Sequence, residues 1–249
     1  MSDLHSGNSF DSESEFEAAK SRSSYWVPVN DPSLKSTWGH RAWVAGACMI
    51  LFTSIYKSVS GLSASSWMQP IMFSLAGYVV ADLASGIYHW AIDNYGSATT
   101  PILGRQIEAF QGHHMWPILE SKREMANNLH ISASAVILGM LPIVILLPSH
   151  YPNCHAFCSA FSVCALFCQQ FHAWAHCSKS SLPVIVVALQ DMGLLVSRSA
   201  HAAHHRPPYD KNYCIVSGMW NKTLETYAVF RALELVLFKT FGVRPRSWN

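Results

Sequence analysis

Charge is what this sequence has least of. Asp, Glu, Lys and Arg make up 13% of its 249 residues, about half the share of an average soluble domain. An ordinary water-facing surface is therefore excluded. Lys and Arg number 17 against 15 Asp and Glu, a net charge of +2, too little for a nucleic-acid-binding arm. Disorder along the whole chain, collagen and coiled coil each need a composition that this one lacks. No CxxC pair is present, and the seven cysteines are odd in number. Four of them, Cys48, Cys158, Cys164 and Cys168, fall in apolar runs, so they read as small buried hydrophobes rather than disulfide partners. There is no internal repeat.

What is present is apolar length and histidine. Hydrophobic residues are 50% of the chain and His numbers 13. Residues 1–30 are polar, Ser-rich and acidic and read as a disordered tail, with residues 31–249 as one membrane-embedded domain. The acids also make the tail unlike a plastid transit peptide, and it lacks the basic start and apolar stretch of a secretory signal. Charge-free stretches at 42–56 and 58–81 each supply most of the roughly 20 residues that cross a bilayer core. From Met125 to Ser178 there are 54 residues without a formal charge, broken by LPSHYP into spans at about 131–148 and 155–172. Leu182 to Val196 is too short to span and contains Gln190 and Asp191, so it reads as an interfacial or re-entrant helix.

The expected fold is all-α and polytopic, with about four transmembrane helices and an interfacial helix. This arrangement leaves Lys57 alone on the far side and every other Lys and Arg on the near side, the asymmetry of the positive-inside rule.

Placed on these spans, nine His fall at the near face: His89, His113, His114, His130, His172, His176, His201, His204 and His205. His172 and His176 are i, i+4, and His201, His204 and His205 are i, i+3, i+4, so each set projects from one helix face. Imidazoles in such numbers suit Fe, Zn, Cu or Ni rather than Ca or Mg. One catalytic zinc needs only three or four ligands, whereas two ions share eight or nine. Iron held in this way reductively activates O₂ and removes hydrogen from an unactivated CH₂, with the acyl substrate in lipid and electrons arriving from a soluble donor. Asp93 reads as a carboxylate ligand or as an orienting group. Asp82 lies within a span, where an ionisable group costs roughly 2.5 to 3.5 kcal/mol. It reads either as an acceptor orienting a ligand His or as a cap or hydrogen-bond partner. Asn127, Asn128 and Gln169 stand close enough in sequence to ligand His to orient them. His5, His40, His150 and His155 read as surface or interface residues.

Seven strings carry a family resemblance: NDPSLKSTW at 30–38, ADLASGIYHWAIDNYG at 81–96, QIEAFQGHH at 106–114, QFHAWAH at 170–176, VALQDMGLLVSR at 187–198, NYCIVSG at 212–218 and GVRPRSW at 242–248. Together they resemble the plant plastid fatty acid desaturase four family, within the wider Kua-type plasmanylethanolamine desaturases. The resemblance implies a chloroplast multi-pass membrane enzyme that introduces a trans-3 double bond into palmitate at sn-2 of phosphatidylglycerol. It implies two Fe ions, O₂ as co-substrate, ferredoxin as electron donor and a plastid peroxiredoxin as partner. The family's two histidine boxes fall on His172 to His176 and His201 to His205, expected to be catalytic. His89, His113, His114 and His130 complete the implied ligand set, with Asp93 adding or orienting a ligand. A plasmanyl-lipid desaturase, a lipid hydroxylase on the same irons and a catalytically weak paralogue are the alternatives within the superfamily. A bis-His haem protein or a metal transporter is the alternative outside it.

Overall fold

The computed structural model of the chain describes residues 31–62 and 67–248; among them there are helices and connecting segments and no strand. The expected tail at 1–30 lies outside the described residues. Residues 31–34, with the 3-10 turn Pro32–Leu34, form a small unit of their own.

Four helices are long and apolar enough to cross a membrane: α1 (Trp38–Ser60), α2 (Met68–Asn94), α5 (Met125–Leu146) and α6 (Pro152–Ala175). Between α2 and α5 lie two short helices, α3 (Gly104–His113) and α4 (Ile118–Lys122). After α6 come α7 (Val184–Asp191), α8 (Arg198–His204), α9 (Asn221–Thr226) and α10 (Val229–Phe241). α2 packs most extensively on α6, and α1 rests on α5 and α6. Gly77 permits the first contact, because a Cβ there would run into the backbone carbonyl of Phe157. The core between α1, α5 and α6 is aliphatic, built from Leu51, Leu129, Val136, Met140 and Leu166. Large apolar side chains such as Phe52, Leu138 and Ile145 are exposed on the outer faces, as lipid contact requires.

The second span begins later than its charge-free stretch suggests and runs past it, through Asp82, to Asn94. Absence of charge marks what lipid tolerates and does not mark where a helix ends. Asp82 is fully buried, and its carboxylate accepts from the backbone N–H groups of Ser217 (2.7 Å), Gly218 (2.9 Å) and Trp220 (3.3 Å). Of its two expected roles it therefore takes the cap. It fixes the loop 212–218, in which Tyr213, Cys214, Ile215 and Val216 are all buried.

Other polar groups within the helices are satisfied in the same way. Ser159 donates to Ser54 (2.9 Å), Ser54 meets His155 Nδ1 (3.0 Å), and His155 Nε2 meets the Leu147 carbonyl (3.2 Å). His155, expected in the far-side turn as a surface or interface residue, lies in the first turn of α6 and is completely buried. It ties α1 to α6 and to the end of α5. Lys57 donates to the carbonyls of Val144 (2.6 Å) and Leu147 (3.0 Å), so the one far-side base closes the C-terminus of α5. His40 completes a capping box with Thr37 at the start of α1.

The expected interfacial helix is shorter than 182–196: α7 covers Val184–Asp191 and exposes Val184 and Ile185. A second amphipathic helix, α10, was not expected. It buries Phe230 and Glu234 and exposes Val236 and Phe241. The Glu234 carboxylate accepts from Trp90 Nε1 (3.2 Å) and Trp248 Nε1 (2.6 Å). The last residues then reach the end of α2, where Ser247 N donates to Asn94 Oδ1 (3.0 Å) and Arg246 donates to the Asp93 carbonyl (3.3 Å).

Asp82→Ala strands three backbone donors in a dry site and is expected to destabilise the fold by about 3 kcal/mol. The midpoint of thermal unfolding in detergent should fall, while the protein that stays folded keeps its full metal content. Normal stability with lost metal would return Asp82 to a role at the ligands.

Candidate metal centre

The near-face ends of the helices carry the donors. α2 brings His89 and Asp93, four residues apart on one face, and α3 ends in His113 with His114 as its cap. α6 brings His172 and is capped by His176; α8 brings His201 and His204 and is capped by His205. α8 starts where the side chain of Ser197 accepts from Ala200 N, and Val196 is held to Val216 by a backbone bond of 2.8 Å. The Asp82-capped loop therefore sets the position of α8.

These side chains form two groups of potential metal donors, His113, His172, His176, His201 and His205 in one and His89, Asp93, His114 and His204 in the other. Adjacent residues serve different groups: His113 and His205 belong to the first, His114 and His204 to the second. The two groups consequently lie side by side.

In the first group four Nε2 atoms form a closed ring of contacts, His113 to His176 (2.8 Å), His176 to His201 (2.9 Å), His201 to His205 (3.1 Å) and His205 to His113 (3.1 Å). Each neutral Nε2 either donates one proton or accepts one, so hydrogen bonds explain at most two of these four contacts. A shared cation explains all of them. Five imidazoles in this one group exceed the four donors of a structural zinc. His172 lies with its ring centroid 4.3 Å from that of His201, and both its nitrogens are buried without a hydrogen bond.

In the second group Asp93 Oδ2 lies 3.2 Å from His89 Nε2 and 3.3 Å from the Nε2 atoms of His114 and His204. His114 and His204 approach to 3.0 Å. Both oxygens of Asp93 are buried without a bond of hydrogen-bonding geometry. An unpaired carboxylate among three imidazoles is the arrangement a divalent ion completes.

The outer nitrogens complete the argument. His89 Nδ1 meets the Tyr213 carbonyl at 2.9 Å, and His204 Nδ1 meets the Lys211 carbonyl at 2.8 Å. A carbonyl only accepts, so both Nδ1 carry the proton and both Nε2 lone pairs point inward. Burial, reinforced by neighbouring imidazoles, holds His113 and His201 well below the usual histidine range and pushes His176 and His204 down to about 4 and His205 to about 2. All five are neutral at pH 7, as ligands must be.

Every His in the two expected boxes enters a group, and so do His89, Asp93, His113 and His114. His130 does not. Its Nδ1 meets the Asn127 carbonyl (2.7 Å) and its ring stacks on His40 at 4.1 Å, which turns it toward α1. Asn128 bonds to Gln170 (3.3 Å) and to the Glu120 carbonyl (3.2 Å), and Asn127 bonds to the Lys35 carbonyl (2.9 Å). Gln169 lines a cleft between α2, α5 and α6.

Glu120 was missed by sequence reasoning. It is buried with Oε2 3.3 Å from His172 Nδ1 and 3.7 Å from His113 Nδ1, and burial pushes its carboxyl up to about 7. Its position steers two imidazoles of the first group. No spacing announces it, since it reaches the site only because the α3–α4 segment folds back over α6.

The lipid desaturase domain family matches residues 78–248. Fatty acid desaturase 4-like 1, chloroplastic, of Arabidopsis thaliana is 54% identical over 221 residues, covering 88% of this chain and 74% of the relative. Fatty acid desaturase 4, chloroplastic, of the same plant is 56% identical over 214 residues, covering 86% and 66%. Plasmanylethanolamine desaturase 1 of Mus musculus is 30% identical over 190 residues, covering 71% and 68%. No solved structure matches the chain.

His205→Ala and Asp93→Ala each remove one donor from a different group. Elemental analysis of the purified chain should show each losing about one of two ions and the double variant losing both. Glu120→Ala removes an orienting group and is expected to weaken metal retention about 10- to 100-fold against a competing chelator.

Proposed function

The chain belongs to the lipid desaturase family, and from that premise we propose that it introduces a trans-3 double bond into palmitate at sn-2 of phosphatidylglycerol in a chloroplast membrane. It is an oxidoreductase, a membrane fatty acid desaturase. The finer reading is supported above all by two adjacent, nitrogen-rich donor groups at the ends of membrane-length helices.

Two iron ions fit these donors and, when bound, supply the reductive activation of O₂ that lets hydrogen leave an unactivated CH₂. Overall, two hydrogens leave adjacent carbons, and with O₂, two electrons and two protons the products are an alkene and two waters. Ferredoxin is the proposed electron source, and a plastid peroxiredoxin a proposed partner.

The chain's own residues prepare the site. His113, His172, His176, His201 and His205 hold one ion, and His89, Asp93, His114 and His204 hold the other. The Tyr213 and Lys211 carbonyls keep His89 and His204 in the ligating tautomer. Glu120 orients His172 and His113. Phe110, with its ring centroid 5.2 Å from His89 and 6.0 Å from His172, packs an apolar ring against the donors.

Expression in a plastid that lacks trans-3-hexadecenoate should restore that acid in phosphatidylglycerol. His172→Ala and His204→Ala should each abolish it while the protein still accumulates in the membrane. A vinyl ether or a hydroxylated chain in its place would select the plasmanyl-lipid or hydroxylase reading. Full activity in both His variants would overturn the ligand assignment.

A further inference from the structure

In water a surface helix turns its charges outward and its apolar side inward. α10 does the reverse at its centre: Glu234 is buried, while Leu233, Leu235 and Val236 around it are exposed. Helical spacing sorts the rest. Phe230, Glu234, Leu237 and Phe238 form the inner face, with Phe230 and Leu237 in the cluster around Trp90 and Phe238 against the ring of Trp248. Ala232, Leu233, Val236 and Thr240 form an outer stripe without charge. Arg231, Leu235 and Lys239 run along one edge of it, each a turn beyond the last. From Val229 to Trp248 every exposed charge is basic, namely Arg231, Lys239, Arg244 and Arg246. We infer that α10 is seated in the headgroup layer of the near leaflet, its outer stripe against the acyl chains and its basic edge at the lipid phosphates, so that the partner of this surface is the bilayer. The inference goes beyond the proposed reaction and does not rest on it.

The position of α10 identifies what covers it. Phe230 stacks on Trp90 with ring centroids 5.1 Å apart, and Glu234 accepts from the same indole. Farther along, Phe238 packs on Trp248, whose neighbour Ser247 donates to Asn94. The interval from Phe230 to Phe238 is about 12 Å of α10, whereas Trp90 to Asn94 is only about 6 Å of α2. α10 therefore crosses the last turn of a membrane-length helix instead of prolonging it. A helix crossing there lies along the boundary between lipid and water, where an apolar stripe meets acyl chains and Arg and Lys reach up to phosphate. Phe241 and Val243, both exposed, continue the apolar surface at its C-terminal end. Area also favours lipid over a protein, since a stable protein interface takes roughly 20 residues a side and the stripe offers only a handful.

The test uses the full, metal-loaded chain in nanodiscs, with a fluorescent amino acid introduced in place of Leu233, of Val236 or, as a reference, of Asp210, an exposed charge in the loop after α8. Bromine carried on the acyl chains near the ester should quench the reporters at 233 and 236 at least threefold more than the one at 210, and aqueous iodide should do the opposite. Iodide reaching 236 as freely as 210 would overturn the inference. Protection from both quenchers would overturn it too, because a second copy of the chain or another protein then covers the stripe. A further variant, Leu233→Glu with Val236→Glu, carries the reporter at Thr240. These side chains lie outside the core clusters, so metal is retained, and the reporter should lose bromine quenching and gain iodide quenching at least threefold each. Unchanged bromine quenching in the metal-loaded variant would show that the stripe does not seat the helix. No turnover is read, so failure here leaves the desaturase reading standing.

Discussion

Eight imidazoles and one carboxylate brought together in a dry pocket constitute the constraint on which the rest of the molecule depends. Neutral imidazole nitrogens 2.8 to 3.1 Å apart in a closed ring have too few protons to satisfy one another, and their lone pairs repel. A cation shared among them would remove that repulsion, and its binding energy would be coupled to the fold that assembles them. Helix ends are the right places for this. A terminal turn leaves the side chain at a chosen depth while the helix behind it is anchored in lipid. Consecutive residues such as His113 and His114, or His204 and His205, diverge into neighbouring groups without any additional backbone.

The anchoring is done by polar groups that the membrane would otherwise penalise. Asp82 sits at a depth where an unpaired carboxylate would be costly, and three backbone N–H groups from the loop at 217–220 remove that cost. The same bonds locate Tyr213, whose carbonyl sets the tautomer of His89. Glu234 gathers two tryptophan N–H groups and ties α10 and the C-terminal residues to the end of α2. On the far side the Ser159–Ser54–His155 chain and Lys57 fix the relative depth of α1, α5 and α6. Each buried charge or ring nitrogen thus defines the height of one helix relative to another, something apolar packing alone specifies weakly.

Much of this was legible from residue order. Long charge-free runs predict four spans because lipid filters composition directly. The two boxes and the paired His113 and His114 point to one face because helical period and span ends are both readable. Other features were not legible, for physical reasons. That Asp82 lies within a span was readable, but the loop 135 residues away that satisfies its carboxylate was not, because no local pattern encodes that contact. His130 shares the near face with the ligands yet turns to His40, since a helix face has two sides and periodicity does not say which meets the metal. His155 looked like a turn residue, but α6 starts already at Pro152 and carries it to Ser54 and the Leu147 carbonyl. Glu120 has no motif of its own and joins the site through the path of α3 and α4.

The depth of the donors also bears on what they can reach. His89 lies five residues before the end of α2 and His172 three before the end of α6, roughly 7 Å and 4 Å of helix. Ions held there would stand at the boundary between lipid and water, where a glycerophospholipid keeps its headgroup. Ligating imidazoles deeper in the bilayer would have to be kept dry at greater cost and supplied with electrons across lipid. The helix ends are therefore the positions at which the chain can afford to place its histidines, within reach of a lipid on one side and of water on the other.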